Sequence, residues 1–126
     1  FFTPKRFMKD KKNDFILAES GYNQIMNVPY LSGCFMFLNM KAIKDIGLFD
    51  ERFFMYPEDI DLTRRIHMKY KTLFLPTVSV VHHHEKASHK SIKMALIHIY
   101  NLVKYFNKWG WIFDSERKKI NSNINY

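Results

Sequence analysis

The spacing of apolar and polar positions divides the chain into unlike stretches. Residues 1–29 show no sustained apolar period. Lys5, Arg6, Lys9, Lys11 and Lys12 crowd the start, and the segment reads as a basic lead-in of loop with one short helix. Residues 30–38 (YLSGCFMFL) form a short apolar run that predicts a buried strand. Asn39 suits a helix N-cap and Gly47 a C-terminal stop, so a short helix is predicted over 41–46. The aromatic-rich 48–56 (LFDERFFMY) predicts irregular structure. Pro57-Glu58-Asp59 then opens a helix, because proline is favoured in a first turn and carboxylates there meet the positive end of the helix dipole. Leu62, Ile66 and Tyr70 recur at helical spacing and mark its buried stripe.

Beyond that helix, 71–75 and 77–83 read as strands split by Pro76, 84–90 as a polar loop, and 91–107 as a long helix. The order strand, helix, helix, strand, helix predicts an α/β layer with too few strands for a complete doubly wound sheet. The long helix is amphipathic in an unusual proportion. Asn101, Lys104 and Lys108 make one narrow polar stripe, and most other positions are apolar, with Trp109 and Trp111 following at once. Lysines beside Trp and Tyr characterise a helix lying on a membrane surface, whereas packing on another domain or a dimer mate explains the same pattern equally well.

Composition adds bounds. With 126 residues the chain is of single-domain size, and 12 Phe, 7 Tyr and 2 Trp call for a partner surface, either a second half of the protein or a membrane interface. The net charge of +8 favours anionic partners, whether nucleic acid, lipid headgroups or phosphorylated substrates. Cys34 stands alone, which excludes an internal disulfide framework and points to a reducing compartment. No apolar run approaches the roughly 20 residues of a membrane-spanning helix, and no secretory signal pattern is visible. A first residue of Phe fits an internal fragment.

Glu58-Asp59-Ile60-Asp61 places three carboxylates in four residues beside an apolar wall of Phe53, Phe54, Met55 and Tyr56. The plain reading is a charged helix start. The chemical one is a general base, since a carboxylate at a cleft edge can take a proton from a hydroxyl. Asp59 and Asp61 also spell D-x-D, but residues two apart on a helix point to opposite sides, so a shared ion is rejected and Asp61 is expected to pair with Arg64 or Arg65 or to cap its own turn. In His82-His83-His84, alternate residues of a strand share a face, so His82 and His84 could hold one ion; a solvated strand end is the competing reading.

In this order the motifs resemble family 2 glycosyltransferases, particularly rhamnosyltransferase-like members that build bacterial surface polysaccharides. The likeness runs from Ser32-Gly33-Cys34-Phe35-Met36 through GLFDERFFMYPEDIDL (47–62), Tyr70, LFLP (73–76) and VVHH (80–83) to YFNKWG (105–110). It covers about residues 30 to 113 and only the C-terminal half of the family's domain. The half carrying the nucleotide-binding strands and the true D-x-D has no counterpart in residues 1–30.

The resemblance implies part of an A-type glycosyltransferase domain, a Rossmann-like α/β sandwich. Residues 30–90 would form its catalytic and acceptor half, and 91–126 an amphipathic helix with a basic tail. Asp59 matches the catalytic base and Glu58 would position the acceptor. Ser32, Gly33 and Cys34 fall in the glycine-containing loop near the donor sugar, and Tyr56 joins this substrate-binding set. His82 matches a histidine that helps hold a divalent ion, Mg or Mn, in the intact enzyme, with His84 as a substitute. The implied reaction transfers a sugar from a nucleotide-diphosphate donor to a lipid-linked or glycan acceptor with inversion. It would take place in the cytoplasm at the inner face of the plasma membrane, with no nucleic acid as partner. The fragment is expected to be inactive alone and to self-associate. The alternatives are a basic nucleic-acid- or membrane-binding module without catalysis, or a remnant without activity.

Overall fold

The computed structural model describes residues 11–13, 16–83, 91–122 and 124. A short 3-10 helix (Ala18–Ser20) precedes β1 (Met26–Asn27), α1 (Met40–Ile46), α2 (Glu58–His67), β2 (Leu73–Phe74), the long α3 (Ile92–Trp109) and α4 (Ser115–Ser122). The architecture is mixed, helices around one small sheet, and is compatible with an α/β class.

Strands β1 and β2 pair antiparallel, Met26 opposite Phe74 and Asn27 opposite Leu73. Buried Thr72 lengthens this tie. Its carbonyl accepts from Val28 N–H at 2.9 Å, its N–H donates to Asn27 Oδ1 at 2.9 Å, and its hydroxyl donates to Val28 O.

The apolar centre is small. Ile43 from α1 and Leu62 and Ile66 from α2 form it, with Leu38, Ile46 and Tyr70 packed around them. Helix α1 starts and stops as its sequence predicts. Asn39 accepts from Lys41 N–H at 2.9 Å, and Gly47 takes a positive φ of 87° while its N–H donates to Ile43 O. Arg65 of α2 then satisfies the end of α1, donating to Ile46 O at 2.9 Å and Leu48 O at 2.7 Å. Carbonyls at a helix C-terminus lack intrahelical partners, so a cation there serves both hydrogen bonding and the dipole.

Polar contacts dock α3. Asp61 is fully buried, and its carboxylate accepts from Arg65 Nε at 2.8 Å and Trp109 Nε1 at 2.8 Å while pairing with Lys108 Nζ at 2.6 Å. Lys108 also reaches Asp50 at 2.8 Å, Lys104 donates to Arg52 O at 2.9 Å, and Asn101 Nδ2 donates to Met55 O at 3.0 Å. The narrow polar stripe of α3 is therefore its inner face. A second buried pair anchors α4. Arg64 grips Asp114 through two bonds of 2.7 and 2.6 Å and lies 4.0 Å over the Trp109 ring, while Asp114 Oδ1 caps α4 by accepting from Arg117 N–H at 2.9 Å.

Two predicted strands are absent. Residues 30–38 are irregular, with a turn at Gly33-Cys34 and Phe37 98% exposed. Gly33 N–H is directed at the Asp59 carboxylate, not at a neighbouring strand, and an apolar run becomes a strand only where another strand accepts its ladder. Likewise 77–83 is irregular, with Val78 and Val81 exposed, and 71–75 reduces to the two residues of β2. The parallel sheet of a Rossmann-like domain is not found among the described residues.

Two outcomes test this account. Asp61→Ala removes the buried carboxylate shared by Arg65, Lys108 and Trp109 and is expected to cost about 1.5–3 kcal/mol in urea unfolding, the range for hydrogen bonds to a charged group. A loss below about 1 kcal/mol would show that α3 docks without it. Arg64, through its hydrogen bonds, holds the Asp114 carboxyl below its ordinary range. A depressed folded-state pKa gives stability that is present above the unfolded value and lost as pH falls through the folded one. Below about pH 4 the parent is therefore expected to lose stability more steeply than Asp114→Asn, read from unfolding midpoints across pH.

Candidate functional site

The first turn of α2 meets the loop carrying Ser32, Gly33 and Cys34. Asp59 is half-buried there, and its Oδ2 accepts from Gly33 N–H at 2.8 Å, with the Tyr30 hydroxyl at the longer distance of 3.5 Å. Its Oδ1 accepts from Ile60 N–H at 2.8 Å. A carboxylate offers about four acceptor positions, so capacity remains for a further hydroxyl. Gly33 permits the approach, since a Cβ at that position would sit 3.1 Å from Asp59 Cβ and 3.3 Å from Oδ2.

Glu58 has a buried Oε2 without a hydrogen-bond partner among the described contacts. Burial, and then the adjacent Asp59 charge, pushes its carboxyl above the ordinary range. A carboxyl raised in this way holds its proton to a higher pH than a solvated one. Asp59 and Glu58 are thus adjacent acids in unlike surroundings, the first engaged through both oxygens by Gly33 and Ile60 N–H groups and the second with one buried oxygen unpartnered.

Tyr56 takes a positive φ of 82°, a left-handed backbone that costs a non-glycine residue on the order of 1–3 kcal/mol. The bond from Asn101 to Met55 O holds the preceding residue, and the Tyr56 ring stacks on His98 of α3 at 4.2 Å. Its hydroxyl is buried without a partner, so strain and an unmet donor fall together two residues before Glu58.

Ser32 and Cys34 are exposed, the Cys34 thiol free, and Ser32 Oγ accepts from Cys34 N–H at 3.5 Å, a contact that shapes the turn. Tyr30 and His98 belong to this neighbourhood, and sequence reasoning passed over both in that role. Tyr30 lay within a supposed strand and His98 beside a polar stripe, and neither carried a local signal. Burial, followed by the charge of Asp59, pushes the Tyr30 hydroxyl up to about 12, so it stays protonated and able to donate. Tyr30 also lines a cavity of about 630 Å³ together with Val28, Ile60, Arg64, Tyr105 and Arg117.

The histidines are not drawn into this group. His82 and His83 are exposed in irregular chain, and His84 lies outside the described residues. Alternation of faces along a strand therefore does not apply to 82–83. No cluster of three or more His, Cys, Asp or Glu side chains able to hold a metal occurs among the described residues. Asp61, excluded from ion binding at the sequence level, is buried against Arg65, one of its two expected partners, and against α3.

Comparison with known proteins bears on this geometry. Over 57 residues the chain is 39% identical to an N-acetylglucosaminyl-diphospho-decaprenol L-rhamnosyltransferase of Mycobacterium tuberculosis strain CDC 1551 / Oshkosh, and equally to that of strain ATCC 25618 / H37Rv. The chain is a partial homologue of a rhamnosyltransferase. The match takes in 44% of this chain and spans 19% of the length of those relatives. It supports a glycosyltransferase relationship. No protein-family model and no solved structure matches the chain.

The Gly33–Asp59 approach yields a coupling that can be measured. Gly33→Ala crowds the carboxylate and Asp59→Ala removes it, and each alone is expected to lower stability by about 1 kcal/mol. Combined, they should cost less than their sum by about 0.5 kcal/mol or more, because deleting the carboxylate makes room for the new methyl group. Strict additivity in a denaturation cycle would mean that the two residues do not touch.

Proposed function

We propose that the chain is the base-bearing, acceptor-side part of an inverting glycosyltransferase. The observation that carries this reading is the contact of Asp59 with Gly33. It joins an acidic helix start and a glycine loop, 26 residues apart, at one carboxylate. Asp59 takes the proton from an acceptor hydroxyl as that oxygen attacks the anomeric carbon of a nucleotide-diphosphate sugar, with inversion at that carbon. Glu58, with its Oε2 unpartnered, orients the acceptor. Ser32, Gly33, Cys34 and Tyr56 bound the donor side.

The partial likeness to a rhamnosyltransferase acting on a lipid-linked diphosphate sugar supports a sugar acceptor that is lipid-linked or part of a glycan. A divalent ion belongs to the proposal only for the whole enzyme. Among the described residues no group of three or more His, Cys, Asp or Glu side chains assembles a site for it, and no step here passes through a metal.

A nucleic-acid module needs an open basic face. Among the described residues Arg64, Arg65, Lys104 and Lys108 are engaged by carboxylates or backbone carbonyls, and the exposed Arg52 and Lys69 pair with Asp50 and Asp45. That engagement favours the enzymatic reading over a charge-driven one.

In the enzyme that carries this segment, Asp59→Asn keeps the shape and removes the basicity. Sugar transfer is expected to fall about 10²–10⁴-fold, the usual cost of losing a general base, while donor affinity stays near the parent value. Transfer assayed with labelled donor, alongside donor binding by calorimetry, separates the two. A parental transfer rate in Asp59→Asn would remove Asp59 from the role.

A further inference from the structure

Helix α3 inverts the usual arrangement of an amphipathic helix. Asn101, Lys104 and Lys108 face the protein, while Ile92, Leu96, Ile99 and Val103 recur at helical spacing on the opposite side and are exposed, as is Tyr100 beside them. At about 1.5 Å per residue this apolar strip is roughly 17 Å long. Its far end is built, not frayed. The Trp111 ring packs on Phe106 at 5.1 Å, and Trp111 Nε1 donates to Asn107 Oδ1 at 2.8 Å, so the indole lies over the last turns of the helix.

Gly110 makes the turn that allows this. Its φ is 101°, and a Cβ there would meet Phe113 O at 2.7 Å. Ile112 and Phe113 follow, the latter 90% exposed. Charge on this part of the chain is one-sided. From 92 to 122 the acids are Asp114, buried against Arg64, and half-buried Glu116, while Lys93, Lys118 and Lys119 are exposed.

We propose that this strip is a docking face for an anionic lipid bilayer. Apolar side chains, an indole and a phenol at its edge, and exposed lysines on α3 and α4 match the layered chemistry of a headgroup region. Charge selects this occupant over a second copy of the chain. Two copies of the chain, each with a net charge of +8, repel one another on approach, whereas an anionic bilayer attracts them. The docking is peripheral, because no helix among the described residues is long and apolar enough to cross a membrane. It goes beyond sugar transfer and holds whether or not Asp59 acts as a base.

Sedimentation of the full chain with vesicles tests the face. Vesicles of phosphatidylcholine mixed with phosphatidylglycerol are expected to carry the protein down, and phosphatidylcholine alone to carry far less. Lys93→Gln combined with Lys118→Gln should weaken partition roughly thirtyfold at low salt. Leu96→Ser with Ile99→Ser, and separately Phe113→Ser, should weaken it at least tenfold while circular dichroism melts stay near the parent, since these positions are exposed. Should the serine variants melt early, the lysine pair still decides the matter. Parental binding in the lysine and serine variants alike would overturn the proposal. So would a chain that ignores both kinds of vesicle, and light scattering then assigns the face: to a second copy if the chain is a dimer that the serine variants dissociate, to the rest of a longer polypeptide if it is a monomer.

Discussion

One buried carboxylate holds the arrangement together. Asp61 has no exposed surface, and donors converge on it from its own helix and from α3, 48 residues further along. Arg65, oriented by Asp61, closes the carbonyl end of α1, and Lys108, oriented by the same group, reaches the Asp50 loop. With only Ile43, Leu62 and Ile66 at the apolar centre, hydrophobic burial alone would tolerate several packings of these helices. A dehydrated carboxylate is costly unless each of its lone pairs is met, so it admits few. Its contribution lies less in net stability than in excluding the alternatives.

That constraint reaches the candidate site directly, because Asp61 sits in the same turn as Glu58 and Asp59. Fixing one face of the turn against α3 leaves the other face toward the Gly33 loop. Asn101 extends the same control backwards by holding Met55 O beside the strained Tyr56, whose ring rests on His98. The site is therefore supported from α3, which holds Met55 through Asn101 and Tyr56 through His98.

The polarity of α3 follows from the same cause. A helix packed on an apolar core turns its apolar face inward, but the surface offered by Asp50, Arg52, Met55 and Asp61 is a set of carboxylates and unpaired carbonyls. Amide, ammonium and indole donors satisfy such a surface, so the polar stripe went in and Ile92, Leu96, Ile99 and Val103 were left facing out. What remains is a strip of apolar side chains larger than scattered surface residues account for.

Much of this was legible locally. The Asn39 cap and Gly47 stop of α1, the proline and acids opening α2, the buried Leu62–Ile66–Tyr70 stripe, the extent of α3 and the Asp61–Arg65 pair depend on residues within a few positions of one another. The strands did not share that fate. Apolar runs at 30–38 and 77–83 have strand composition, yet a strand exists only by pairing, and pairing is decided by distant chain. Spacing also marked Asn101, Lys104 and Lys108 as one stripe without saying which way it faced, since periodicity carries no sign. Tyr30 beside Asp59 and His98 beneath Tyr56 lie 29 and 42 positions from their partners, and no local pattern encodes such meetings. The sequence by itself determined where helices begin and end and which residues can act as acids or bases, because capping and ionisation are short-range. The tertiary structure alone decided which face is inside and which carboxylate meets the glycine loop, because those depend on desolvating groups that only the fold brings together.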